Sequence, residues 1–231
     1  MEGHYFEDDP AVESKMRTVP LHLGDMAFDL TADRGVFSAD KIDAGTRVLL
    51  IEAARPGDAT TILDIGCGYG PIACAVATRS PKASVWAVDV NTRARDLCSA
   101  NAKRLGLNVS VCEPKAVPAD LMFDLIVSNP PIRIGKKNLH ALLMHWLDRL
   151  APGGRAELVV QKHLGSDSLA RWLNEQGWPT ERLTSRSGYR VLTVQPRSAS
   201  SGDTSSDGAC STEACCPEAS NAETSTGEGS A

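Results

Sequence analysis

A short apolar run, Thr61-Ile62-Leu63-Asp64-Ile65, opens directly into Gly66-Cys67-Gly68-Tyr69-Gly70-Pro71, and the small-residue segment 72–78 behind it reads as a helix. A strand that passes through glycines into a helix begins a βαβ unit. The alternation then continues. Ser84-Val85-Trp86-Ala87-Val88-Asp89 is a second strand ending in an acid. The next helix carries Ala94, Leu97, Cys98, Asn101 and Leu105 on one face, with Gly106 at its C′ position. Strands over 109–112 and 123–128 follow. Leu139, Leu142, Leu143, Trp146, Leu147 and Leu150 recur at helical spacing, and Pro152-Gly153-Gly154 turns the chain into a strand over 156–160. A helix around 168–175 precedes two extended segments ending near Val194. This order predicts an α/β fold: a doubly wound, mostly parallel Rossmann-like sheet with helices on both faces. Upstream, Val19-Pro20-Leu21-His22-Leu23 and 26–31 alternate about Gly24-Asp25 as a hairpin, and a helix over 42–54 stops at Pro56-Gly57.

The last 34 residues, 198–231, contain no Val, Ile, Leu, Met or aromatic residue. Such a segment cannot bury enough apolar surface to offset the entropy of ordering, so it reads as a disordered acidic, Ser/Thr-rich tail, and 1–197 as one domain. The tail holds six acids and no Lys or Arg. Without them, 23 of the 29 acids stand against all 24 bases, and the body is near neutral rather than −5. That balance argues against a nonspecific nucleic-acid binder and leaves room for a local basic patch. Seven cysteines without a Cys-x-x-Cys pair give neither a disulfide framework nor zinc-site spacing, and no metal is expected. The N-terminus is not a signal peptide and no apolar run reaches membrane-spanning length, so a cytoplasmic setting with no membrane partner is expected.

Ligands on doubly wound sheets sit at the carboxyl ends of the strands near the switch point, where Asp64, Asp89 and Asn129 all fall. Gly66, Gly68 and Gly70 alternate, unlike the G-x-G-x-x-G fingerprint, and no Gly-Lys-Ser/Thr marks a P-loop. An acid before the glycines suits a cationic or hydroxylated ligand better than a phosphate, and Asp89 stands where a carboxylate takes ribose hydroxyls. Asn129-Pro130-Pro131 adds the chemistry. An exocyclic amine is a poor nucleophile because its lone pair is delocalised. The Asn129 side-chain oxygen and a backbone carbonyl can accept its two N–H bonds, favouring a pyramidal nitrogen, while proline stiffens the acceptors. Together these features point to S-adenosylmethionine as cofactor and methyl transfer onto nitrogen, resting on positioning. The bland alternatives are a tight strand-to-helix turn with two surface acids for the glycine run and, for the tripeptide in isolation, an ordinary Asn-Pro turn.

With both motifs in place the chain resembles the small-domain class I methyltransferases, including ribosomal RNA guanine-N2 methyltransferases and their compact single-domain relatives. The resemblance spans about 4–196 and rests on His4-Tyr5-Phe6, Gly35-Val36-Phe37-Ser38, Asp64 to Pro71, Asp89-Val90-Asn91, Asn129-Pro130-Pro131-Ile132-Arg133, Val160-Gln161-Lys162 and Gly188-Tyr189. It implies that Asp64, Gly66 and Gly68 line the methionine moiety, that Asp89 holds the ribose and that Phe37 and Ser38 close the site. Cys67, Gly70, Val90 and Asn129 are further implied cofactor contacts, with Glu113 near the place of an adenine-contacting acid. Asn129 and Pro130 would be catalytic, and Pro131, Ile132, Arg133 and Lys162 would meet substrate. Many members carry an aromatic residue where Ile132 stands, and Arg133 is placed to stack or hold a phosphate instead.

The implied substrate is guanine N2 in 16S ribosomal RNA or a small-subunit assembly intermediate, the base being unpaired or flipped, with no DNA expected. The alternatives are a protein glutamine or another amino group, or a cofactor-binding RNA assembly factor with little catalysis. Trp146 reads as core, His140 and His145 carry no assigned chemistry, and Lys136 and Lys137 read equally as phosphate contacts or a solvated face.

Overall fold

The computed structural model describes residues 13–197; His4-Tyr5-Phe6 and the tail 198–231 lie outside the described residues. The chain begins with the expected hairpin, β1 (Arg17–His22) antiparallel to β2 (Ala27–Ala32). Helix α1 (Ala44–Glu52) follows, capped by Asp43, whose carboxylate accepts the Thr46 N–H. The alternating segment then gives β3 (Thr61–Ile65), α2 (Pro71–Arg79), β4 (Ser84–Val88), α3 (Thr92–Arg104), β5 (Val109–Cys112), β6 (Phe123–Ser128), α4 (Lys136–Leu147), β7 (Leu150–Gln161), α5 (Ser166–Glu175), β8 (Thr180–Arg186) and β9 (Tyr189–Val194).

Strands β3 to β9 form one seven-stranded sheet in the order β5-β4-β3-β6-β7-β9-β8. The first five are parallel and β9 runs antiparallel to both β7 and β8. This is the class I methyltransferase arrangement. Side-chain alternation sorts the core: Ile62, Leu125 and Val159 pack with α1 and α2 on one face, Leu63, Ile126 and Leu158 with α4 and α5 on the other. Among the described residues no helix is long and apolar enough to cross a membrane.

One boundary departs from expectation. Leu150 opens β7 opposite Phe123 instead of ending α4, and β7 runs through Pro152-Gly153-Gly154 with an irregular register. Gly154 is required there, because a Cβ would sit 2.9 Å from the Phe123 carbonyl oxygen. Leu150 joins the same core as Leu143 and Trp146, so a buried position after the helix end continues the helical spacing.

Candidate functional site

The strand order reverses between the parallel neighbours β3 and β6, and a cavity of about 430 Å³ opens at the carboxyl ends of β3, β4 and β6. Its floor is the glycine loop. The N–H groups of Gly66 and Cys67 both donate to the Val88 carbonyl (2.8 and 3.0 Å), drawing the loop against the end of β4. Gly70 is the left-handed N-cap of α2 (φ 94°), with Pro71 in the first turn, where its missing N–H costs nothing. A Cβ on Gly70 would lie 2.8 Å from Cys98 Sγ.

Asp89 lines the cavity just beyond β4. Its Oδ2 accepts the Gly68 N–H and its Oδ1 the Asn91 N–H, both at 2.9 Å. Burial raises its carboxyl pKa, while the Asn91 and Gly68 amides act against that shift. Asn91 caps α3 by accepting the Ala94 N–H and donates from Nδ2 to the Gly35 carbonyl (3.1 Å). That bond carries Val36, Phe37 and Ser38 to the cavity wall. Ser38 holds φ 57° and donates from Oγ to the Lys41 carbonyl, while Phe37 is half exposed at the mouth.

Asn129 stands at the end of β6, with Ser128 Oγ donating to the Ile65 carbonyl (2.7 Å) and tying β6 to β3. The Asn129 amide nitrogen donates to Asp43 Oδ2 (2.8 Å) and to Thr46 Oγ1 (3.0 Å). A carboxylate only accepts, so this pairing orients the amide and leaves Oδ1 as the unshared acceptor. Pro130, Pro131, Ile132 and Arg133 continue the wall, with Ile132 opening a 3-10 turn, Ile132–Ile134.

The structure therefore brings Phe37, Ser38, Gly66, Cys67, Gly68, Asp89, Val90, Asn129, Pro130, Pro131, Ile132 and Arg133 around one cavity. Four expected residues stand off it. Asp64 points to the α2 side of the sheet, fully buried: Oδ2 accepts the Ala73 N–H (3.0 Å) and Oδ1 has no protein partner. Burial, reinforced by Asp89, pushes its carboxyl pKa up to about 8. Gly70 packs behind the loop against Cys98. Lys162 is exposed at the start of a 3-10 turn, while Gln161 and Leu164 on either side line the wall. Glu113 also stands outside, with Pro114 lining in its place.

Asp43, Thr46, Asn91 and Tyr189 complete the cavity and were not expected there. Asp43 has a local signal as the N-cap of α1, but nothing local ties it to Asn129. A hydrogen bond with Cys98, together with burial, raises the Cys67 thiol pKa, and burial beside Cys98 raises that of Cys74, so neither is a thiolate nucleophile at neutral pH. Asp43 and Asp89 give the cavity acidic groups, while Arg133 stands at its rim.

The residues present fit an adenosyl sulfonium. Val36, Val88, Val90, Ala94 and Pro114 offer apolar walls to a base, Asp89 offers lone pairs to ribose hydroxyls, and Asp43 and Asp89 suit positive charge. Residues 27–193 match the methyltransferase small domain. The uncharacterized protein YbxB of Bacillus subtilis (strain 168) is 34% identical over 196 residues, covering 83% of this chain and 98% of that protein. The ribosomal RNA small subunit methyltransferase C of Shewanella amazonensis is 32% identical over 147 residues, 61% of this chain and 42% of the relative. The chain thus spans less than half the length of that relative. Among solved structures, the Thermus thermophilus 16S rRNA N2 G1207 methyltransferase in complex with AdoMet and guanosine superposes with a TM-score of 0.69 at 25% identity, covering 81% of this chain and 52% of that one.

Proposed function

The chain belongs to the methyltransferase small-domain family, which makes S-adenosylmethionine its cofactor, and from that premise we propose that its acceptor is the exocyclic N2 amine of a guanine in small-subunit ribosomal RNA. The observation that carries this reading is the orientation of Asn129. With Nδ2 bound by Asp43 and Thr46, its Oδ1 is fixed as an acceptor at the cavity wall. The Pro130 carbonyl is a second acceptor on a backbone stiffened by two prolines. Two acceptors draw the two N–H bonds of an amine away from the plane of its ring and free the lone pair for attack. S-adenosylmethionine, when bound, supplies an electrophilic methyl group, and the protein supplies position and preorganised dipoles. The cationic rim at Arg133 suits a phosphate-bearing substrate, and the related enzymes named above act on ribosomal RNA. A cytoplasmic setting follows from that substrate.

The test is incubation of the purified protein with labelled S-adenosylmethionine and either 16S RNA, small-subunit intermediates or total protein, followed by nucleoside and amino-acid analysis. Label in N2-methylguanosine is expected. Label in protein glutamine, or none in either fraction with the cofactor bound, contradicts the proposal.

A further inference from the structure

A second cavity of about 250 Å³ lies beside the first and shares Ile132 and Leu164 with it as walls. The two spaces are therefore adjacent. Its interior is apolar, formed by Leu139, Val160 and Leu169 with the shared residues, and its rim carries Lys136 and His140. The His140 imidazole stacks on the Trp172 indole, with centroids 3.4 Å apart and planes 14° from parallel, which fixes a rigid aromatic edge. Burial and the Lys136 charge lower the His140 pKa, so the ring is neutral at physiological pH.

The surrounding charge is one-sided. Arg133, Lys136, Lys137 and Lys162 are exposed, and none forms an ion pair among the described residues. Glu157 and Asp167, on either side of Lys162 in sequence, are paired with Arg155 and Arg190. Among the described residues no carboxylate lines the cavity. An apolar slot with an aromatic edge and unpaired cations at its rim matches a planar heterocycle bearing a phosphate, and suits an extended acidic or apolar peptide less well.

Taking the acceptor to be an RNA guanine, as proposed above, we infer that this second cavity receives the base next to the target nucleotide. Its phosphodiester passes over Arg133 and Lys136. A strand whose target base fills the first cavity has its neighbour one phosphodiester away, and the two spaces share Ile132 and Leu164 as walls. Ile132 thus acts as a wedge between adjacent bases, which explains an aliphatic residue directly after Asn129-Pro130-Pro131. The substrate class becomes single-stranded or locally opened RNA read as at least a dinucleotide, rather than a lone guanosine.

The test uses single-guanine RNA pentanucleotides in which the residue 5′ or 3′ to the guanine is either a normal nucleotide or an abasic ribose. Methyl-transfer kcat/KM is measured for the wild type, Lys136→Ala and His140→Ala. For the wild type, removing the base on one side should lower kcat/KM tenfold or more, and on the other side little. In His140→Ala the intact pentanucleotide should react several-fold more slowly while the abasic one reacts at the wild-type rate; in Lys136→Ala, which loses a phosphate contact that the abasic ribose keeps, both should slow several-fold. Lys136→Ala changes an exposed residue, so its reading does not depend on the stability of the His140 variant. Equal sensitivity of wild type and His140→Ala to the abasic site, or a wild-type rate in Lys136→Ala, overturns the subsite while leaving the proposed function standing. Transfer to protein but to no guanine-containing RNA overturns both.

Discussion

Asp43 Oδ2 accepts from two donors in different parts of the chain: the Thr46 N–H that begins α1 (3.0 Å) and the Asn129 side-chain amide at the end of β6 (2.8 Å). A helix cap is thereby also the group that orients Asn129, the acceptor proposed for the substrate amine. Both roles use one oxygen. Asp43→Asn keeps an acceptor for both donors, so stability should change by less than about 1 kcal/mol, whereas Asp43→Ala should lose about 0.5–2 kcal/mol. Asp43→Ala should also slow methyl transfer about tenfold or more, because the Asn129 amide loses the acceptor that orients it, and Asp43→Asn should recover much of that rate. Thermal unfolding beside single-turnover rates checks this. A wild-type rate in Asp43→Ala means that Asn129 needs no such partner.

Asp89 holds two backbone amides and faces the cavity. Asp89→Ala should weaken S-adenosylmethionine binding by about 1.5–3 kcal/mol, the range for hydrogen bonds to a charged group. Calorimetric titration reads it directly, and an unchanged affinity removes Asp89 from the cofactor site.

Gly70→Ala meets two obstacles, a left-handed φ of 94° and a Cβ 2.8 Å from Cys98 Sγ. A loss of about 1–3 kcal/mol is expected. In Gly70→Ala/Cys98→Ala, part of this should return, since the contact is relieved and the φ is not. Urea unfolding of the four proteins measures the coupling; strict additivity shows that the Cys98 contact contributes nothing.

Asp64 gives a pH signature. Its carboxyl is raised from 3.8 when unfolded to about 8 when folded. Between those values the folded chain keeps a proton that the unfolded chain releases, so this group lowers stability as pH rises from about 4 to 8. Asp64→Asn removes the titration and keeps an oxygen for the Ala73 N–H. The cofactor-free variant should therefore lose less stability than wild type between pH 5 and 8, with a higher Tm at pH 8 by several degrees. Parallel curves would show that Asp64 is ionised across the range.

Much of this site is legible in the sequence because its chemistry lies at strand ends. The glycine loop, Asp89 and Asn129-Pro130 announce themselves by residue type and by alternation with helices. The direction of Asp64 is not legible, since both faces of the sheet are covered and Leu63, Asp64 and Ile65 are all buried. Nor is the pairing of Asp43 and Thr46 with Asn129, which spans 86 and 83 residues of chain and exists only once α1 docks beside β6. Lys162 reads as a site residue from its place after a strand, but the 3-10 turn that begins there presents Leu164 to the cavity instead.

The most direct measurement compares wild type and Asn129→Ala in single-turnover methyl transfer to guanine-containing RNA, with S-adenosylmethionine affinity measured on the same samples. The side chain of Asn129 acts on the amine as it becomes pyramidal, and a preorganised contact of that kind carries about 2.7–4 kcal/mol. The expected result is a rate lower by about 10²-fold or more with cofactor affinity largely retained. Equal rates in the two proteins would contradict the claim that Asn129, fixed by Asp43, orients the acceptor amine.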